Sequence, residues 1–191
     1  VFAVGEYGTI RHYNGSSWTS MSSGTTKWLE DVWGNAGNNV FTVGSSGTIL
    51  RYNGSSWTSM SSGTTKSLNS VWGSSGSDVF AVGEYGTIRH YNGSSWTNMF
   101  SGTSEHLYGV WGSSGNDVFV VGWNGTILHY DGSSWSSMST GTTDMLVGVW
   151  GSSGNDVFAV STHDIIWHYN GSTWTSMSSG TTKWLEDVWG N

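Results

Sequence analysis

A chain of 191 residues with net charge −7 and only six Lys and Arg lacks the basic footprint that nucleic acid or an anionic membrane surface requires. The absence of Cys excludes disulfides and thiolate metal centres. With 29 Gly, no Pro and 14 Trp set among Ser and Thr, the composition is that of an all-β protein rich in tight turns, and the aromatic content excludes a disordered chain.

In chain order, Val1, Val40, Val79, Val118 and Val157 each open a copy of one 39-residue unit, VF-x-VG-x-x-GTI-x-x-YNGSSWTSMSSGTT-x-x-L-x-x-VWG. A unit this short cannot bury its own apolar face and must stack on its neighbours. One domain, 1–191, is therefore expected, with repeats 1–39, 40–78, 79–117, 118–156 and 157–191.

Four segments of each module have strand character, called A to D. In the module that begins at Leu68 they are Leu68 to Trp72, Val79 to Val82, Gly86 to Tyr91 and Trp96 to Met99. All are rich in β-branched and aromatic residues and bounded by Gly, Ser, Asn or Asp. The A to B link is Gly73 to Asp78, the B to C link is Gly83-Glu84-Tyr85-Gly86, and the C to D link carries Asn92-Gly93, read as a type I′ hairpin with positive φ at both residues. Three short hairpins in series make a four-stranded antiparallel meander. The longer D to A stretch, Ser101 to Glu105, steps to the next sheet.

Meanders repeated at this period predict a β-propeller of five four-stranded blades. The chain opens on strand B and stops at Asn191 just after a strand A. Closure of the ring by the C-terminal strand A pairing with the N-terminal strands B, C and D is expected, which would leave a monomer without open sheet edges.

The string VWGSSGNDVF-x-VG-x-x-GTILHYDGSSW resembles bacterial β-propeller repeats of surface or secreted proteins, and the predicted architecture is similar to the five-bladed lectins of the tachylectin-2 type. The resemblance covers the whole chain. It implies a secreted or cell-surface setting, although the chain itself carries no signal-peptide pattern, and it lacks the Gly-His and Trp-Asp marks of WD40 repeats. No apolar run long enough to insert in a membrane is present.

Two blocks are internal duplicates, Val1 to Thr19 with Val79 to Thr97 and Trp18 to Asn35 with Trp174 to Asn191, so the columns that differ between copies stand out. Ten Trp in two invariant columns, from Trp18 and Trp33 onward, read as blade contacts. His12, His90, His129 and His168, with Arg51 in the same column, read as a structural polar layer rather than a metal site. Asn14, Asn53, Asn92, Asn124 and Asn170 match the glycosylation pattern, but turn geometry accounts for them.

Variation gathers in the B to C and D to A links, which share one end of an antiparallel meander. Glu6, Tyr7, Trp28, Glu30, Asp31, Tyr85, His106, Tyr108, Trp123, Asn124, His163, Trp184, Glu186 and Asp187 are the candidate ligand-binding residues of that face. Exposed rings beside carboxylates and amides suit the apolar faces and hydroxyls of glycans, and equally suit a protein partner. A non-enzymatic, multivalent, carbohydrate-binding module is the first expectation and a protein-interaction scaffold the alternative, with no cofactor, no metal and no nucleic acid. Ser161-Thr162-His163-Asp164 is the most asymmetric stretch, yet a Ser, His and Asp in sequence form no triad without geometry. Glu30, Asp31, Glu186 and Asp187 read as a solvated acidic rim rather than a cation site.

Overall fold

A computed structural model describes residues 1–190. These resolve into two compact units, one of residues 1–83 and 88–99, the other of residues 84–87 and 100 onward.

The first unit holds three antiparallel meanders. The first is β1 (Phe2–Gly5), β2 (Thr9–Tyr13) and β3 (Trp18–Met21). The second is β4 (Leu29–Ala36), β5 (Asn39–Gly44), β6 (Thr48–Tyr52) and β7 (Trp57–Ser59). The third is β8 (Leu68–Ser75), β9 (Asp78–Gly83), β10 (Ile88–Tyr91) and β11 (Trp96–Met99). The strands β5 and β9 are buried at successive positions and so on both faces, and facing sheets share their apolar side chains. Ile10 meets Leu29, Val40, Leu50, Tyr52 and Trp57, while Phe41, Val43 and Ile49 meet Leu68, Val71, Val79, Tyr91 and Trp96.

The second unit holds β12 (Leu107–Ser114), β13 (Asp117–Gly122), β14 (Ile127–Tyr130) and β15 (Trp135–Met138), then β16 (Leu146–Ser153), β17 (Asp156–Ser161), β18 (Ile165–Tyr169) and β19 (Trp174–Ser178). Phe119, Val121 and Ile127 pack against Leu146, Val149, Val157, Ala159, Trp167 and Trp174.

The strand reading holds, with strand A longer than expected. It bulges after Gly73, Gly112 and Gly151 and runs on to Ser75, Ser114 and Ser153. Residues 182–190 form no strand, and the first sheet consists of β1, β2 and β3. That segment still packs as a strand A does: Gly190 lies under the Trp150 ring, as Gly73 lies under Trp33 and Gly151 under Trp111. A side chain on any of these glycines would enter the ring above it.

The Trp columns divide. Trp57, Trp96 and Trp174 are buried, each against a Phe of the preceding sheet, Phe2, Phe41 and Phe119 respectively. Trp18 packs on Tyr13 of its own sheet and stays 46% exposed, and Trp189 is exposed as well. Core placement thus fails for these two.

The C to D link also differs from the type I′ expectation. Gly93 has φ 91° but Asn92 is not in the left-handed region. Tyr91 pairs with Trp96, leaving a four-residue link in which the Asn92 side-chain oxygen accepts from the Ser94 and Ser95 amides at 3.0 and 3.1 Å. The Asn acts through its side chain, as an Asx turn. Tyr91 OH closes the same link by donating to the Gly93 carbonyl at 2.8 Å.

Candidate functional site

The expected polarity of the links is present in each unit. Every regular B to C link is a single 3-10 turn, Glu6–Gly8, Ser45–Gly47, Glu84–Gly86 and Trp123–Gly125. The middle residue of each is left-handed: Tyr7 at φ 55°, Ser46 at 57°, Tyr85 at 54° and Asn124 at 55°. The D to A link lies directly on this turn. In the first unit Gly8 fits against Ser23 and the Thr25 carbonyl, and the Ser45 amide donates to the Trp28 carbonyl at 3.0 Å. In the second unit the Gly86 amide donates to Glu105 O at 2.7 Å, Gly125 to Asp144 O at 2.8 Å and Thr162 to Met145 O at 3.0 Å. The variable residues are therefore brought to one strand end.

A left-handed conformation costs a residue with a β-carbon roughly 1–2 kcal/mol. Asn tolerates it, but Tyr gains nothing local from it. Tyr7 and Tyr85 are nevertheless held there, 72% and 58% exposed as residues. Tyr7 meets Trp28 edge-on, with centroids 6.4 Å apart.

In the second unit the aromatics form a row. Tyr85 lies 4.7 Å from His106, and His106 lies 5.9 Å from Trp123, which is 51% exposed. The His106 carbonyl anchors the row by accepting from the Trp123 amide at 2.8 Å. Tyr108 stands beside Glu84, and burial, with the Glu84 charge second, raises its hydroxyl pKa above the usual tyrosine value. His163 Nδ1 lies 3.2 Å from the Asp144 carboxylate. Trp184 is exposed, and Glu6, Glu30, Glu186 and Asp187 are exposed acids.

Asp31, expected at the binding face, has a different task. Its Oδ2 accepts from Ser70 Oγ and the Val71 amide, both at 2.9 Å, and its Oδ1 accepts from the Val32 amide at 2.7 Å. The carboxylate ties β4 to β8. Asp187 starts the same pattern, accepting from the Val188 amide at 2.8 Å, but among the described residues its carboxylate accepts from no second strand.

The His column is structural, with a partner that the sequence reading did not name. His90, His129 and His168 donate through Nε2 to Asp78, Asp117 and Asp156 at 2.6, 2.7 and 2.7 Å. Ser74, Ser113 and Ser152 donate to the other oxygen of the same carboxylates. Asp thus stands between Ser and His, so the imidazole cannot take a proton from the hydroxyl as a triad demands. The Ser152 hydroxyl, then His168, holds the Asp156 carboxyl below its ordinary pKa. In the copy that carries Arg51, Asn39 replaces Asp and accepts from Arg51 Nε at 3.0 Å. The twelve-residue spacing of Asp to His was the available signal.

The asymmetric stretch makes no triad either. Ser161 is buried and its hydroxyl is directed to the backbone carbonyls of His163 and Ile165, at 3.0 and 3.1 Å. With Asp164 in place of the left-handed Gly of the other copies, the 3-10 turn is lost from this link. Among the described residues no group of three or more His, Asp or Glu is disposed to hold a metal ion, and no helix is long and apolar enough to cross a membrane.

Serial four-stranded meanders of this kind define a β-propeller, and solved structures bear out that class. No family model matches the chain, and no curated protein matches it in sequence. YCF48 bound to a D1 peptide is similar in fold, at 14% identity and TM-score 0.70, over 95% of this chain and 64% of that one. YCF48 from Cyanidioschyzon merolae matches at 16% identity and TM-score 0.64, over 83% and 58%. The WD40 β-propeller domain of Doa1 matches at 14% identity and TM-score 0.74, over 90% and 62%. The chain spans less than two thirds of each of these three.

Proposed function

We propose that the chain is a non-enzymatic interaction scaffold that captures a peptide segment of a protein partner on its B to C and D to A links. The observation that carries this reading is the row Tyr85, His106 and Trp123, contiguous, open to solvent and built partly on a strained left-handed Tyr. Aromatic anchors of this kind dominate protein interfaces. Glu84, Glu105 and Asp144 belong to the same links, so the segment that fits is one with apolar and basic side chains. Similarity in fold to YCF48, which has been solved with a peptide bound, supports a peptide over other ligands. The surface or secreted setting rests on the repeat resemblance and goes with this proposal.

The test is a titration of the folded protein against an array of Lys- and Arg-containing peptides with interspersed Leu and aromatic residues. The double substitution of Tyr85→Ala with Trp123→Ala is expected to weaken binding at least about thirtyfold, the scale of an interface hot spot. Capture of neutral oligosaccharides instead, lost in the same variant, would move the assignment to carbohydrate recognition, as Trp123 beside Asn124 would allow. A variant that binds every peptide as the parent does would overturn the site.

A further inference from the structure

The third sheet buries a cation with no acidic partner. Arg89, on β10, is 7% exposed. Its column reads Arg11, Leu50, Arg89, Leu128 and Trp167, so two copies fill the same place with Leu. A guanidinium carries five N–H donors in a fixed fork. Arg89 makes one hydrogen bond, from Nη2 to the Trp96 carbonyl at 3.1 Å, while its buried Nε makes none. No Asp or Glu forms an ion pair with it among the described residues. Burial without a counter-charge is costly, and it lowers the Arg89 pKa from its ordinary value.

The head group has a defined position. Its Nη2 would lie 2.5 Å from a β-carbon placed on Gly63. At the corresponding Gly24, Gly141 and Gly180 a β-carbon would meet nothing within 4 Å. The guanidinium thus reaches up under the D to A link in this copy alone of those four. Gly63 belongs to the 60–66 link, whose residues, Ser62, Thr64 and Lys66 among them, line an open depression of about 590 Å³. Nη1 makes no hydrogen bond among the described residues and is not a fully enclosed atom, so that edge of the guanidinium is left for a ligand.

We propose that Arg89 and the 60–66 link form an oxyanion site, which takes a carboxylate or a comparable small oxyanion against the unused edge of the guanidinium. Arg supplies the planar fork that such a group matches in two hydrogen bonds. Lys66 lines the same depression. The site stands independently of the aromatic row, because no residue is shared.

The experiment compares the parent with Arg89→Leu, a residue that other copies already accommodate at this place, and with Arg89→Lys. Melting is followed against acetate, phosphate and sulfate, each set against chloride at constant ionic strength. A saturable rise of about 3–6 °C at a tenfold excess over Kd is expected for the parent, absent in Arg89→Leu and reduced in Arg89→Lys. Peptides with a free or an amidated C-terminus separate the sources: a gain only with the free carboxylate identifies a peptide end, and a gain only with the inorganic ions identifies a free anion. Equal anion responses in the parent and Arg89→Leu, or no response beyond chloride in the parent, would overturn the proposal. Loss of peptide binding on substituting Tyr85 and Trp123 leaves this readout unchanged, so the two readings fail separately.

Discussion

Replacing Asp31 by Ala removes the acceptor for three donors at once. The Val71 amide belongs to a buried residue, and both it and Ser70 Oγ lie 2.9 Å from Oδ2, with the Val32 amide 2.7 Å from Oδ1. A hydrogen bond to a charged group contributes about 1.5–3 kcal/mol and a stranded buried donor costs about 1–3 kcal/mol, neither of which is additive here. A total loss of about 3 kcal/mol follows for Asp31→Ala, which corresponds to a fall in Tm of about 6–12 °C at this chain length. Asp31→Asn keeps one oxygen and should lose about half as much. Ser70→Ala should cost about 1 kcal/mol, because the Val71 amide keeps its acceptor. Asp187 supplies an internal control: among the described residues its carboxylate accepts only from the adjacent Val188 amide, so its replacement by Ala should change stability by less than about 0.5 kcal/mol. Urea and thermal unfolding followed by circular dichroism measure all four variants. Asp31→Ala within about 0.5 kcal/mol of the parent, or no weaker than Asp187→Ala, would show that the carboxylate does not join β4 to β8.

Two further outcomes are expected. Gly47 and Gly24 are both left-handed, at φ 70° and 72°, but a β-carbon on Gly47 would run into the Thr64 carbonyl while one on Gly24 meets nothing. Gly24→Ala should therefore cost about 1 kcal/mol of backbone strain and Gly47→Ala about 3 kcal/mol or more, and equal denaturation midpoints for the two would contradict the close approach of link and turn. Asp131 holds the place that Asn takes in the other copies, and the Ser133 hydroxyl, then the Ser134 and Ser133 amides, lower its pKa to about 2. Because the folded pKa is depressed, the stabilisation is complete above the ordinary carboxylate value and is lost as pH falls through about 2. The stability difference between the parent and Asp131→Asn should be flat near neutrality and change only in acid, whereas a difference that stays constant from pH 6 to pH 2 would refute the assignment.

The fold was largely legible because period and strand alternation repeat. Leu68, Val79 and Trp96 mark strands in the sequence and in the structure alike. The clustering of the links was legible too, since antiparallel geometry alone puts B to C and D to A at one end. Side-chain commitments were not. Asp31 and Glu30 are neighbours of the same charge, and only the approach of β8 turns one inward to Ser70 and leaves the other exposed. Asn92 looked like a positive-φ turn residue because Asn-Gly usually is one, but the two Ser that follow offer amides to its side chain and lengthen the link. The left-handed Tyr7 and Tyr85 carry no signal in sequence, where a Gly or Asn would have been expected. Arg89 likewise reads as an ordinary exposed strand residue until the link above it is in place.

In three copies the glycine that ends VWG lies beneath a tryptophan of the copy before it: Gly73 under Trp33, Gly151 under Trp111 and Gly190 under Trp150. Neither residue of the pair can change alone, since an added β-carbon collides with the ring and a smaller ring leaves a void. The two partners sit in successive copies, so the constraint belongs to the junction and not to either copy. A whole unit added or removed leaves the remaining junctions matched, because a copy carries the ring for one junction and the glycine for the other. Single substitutions at these two columns meet resistance from a neighbour, so these two columns are held in place by contact.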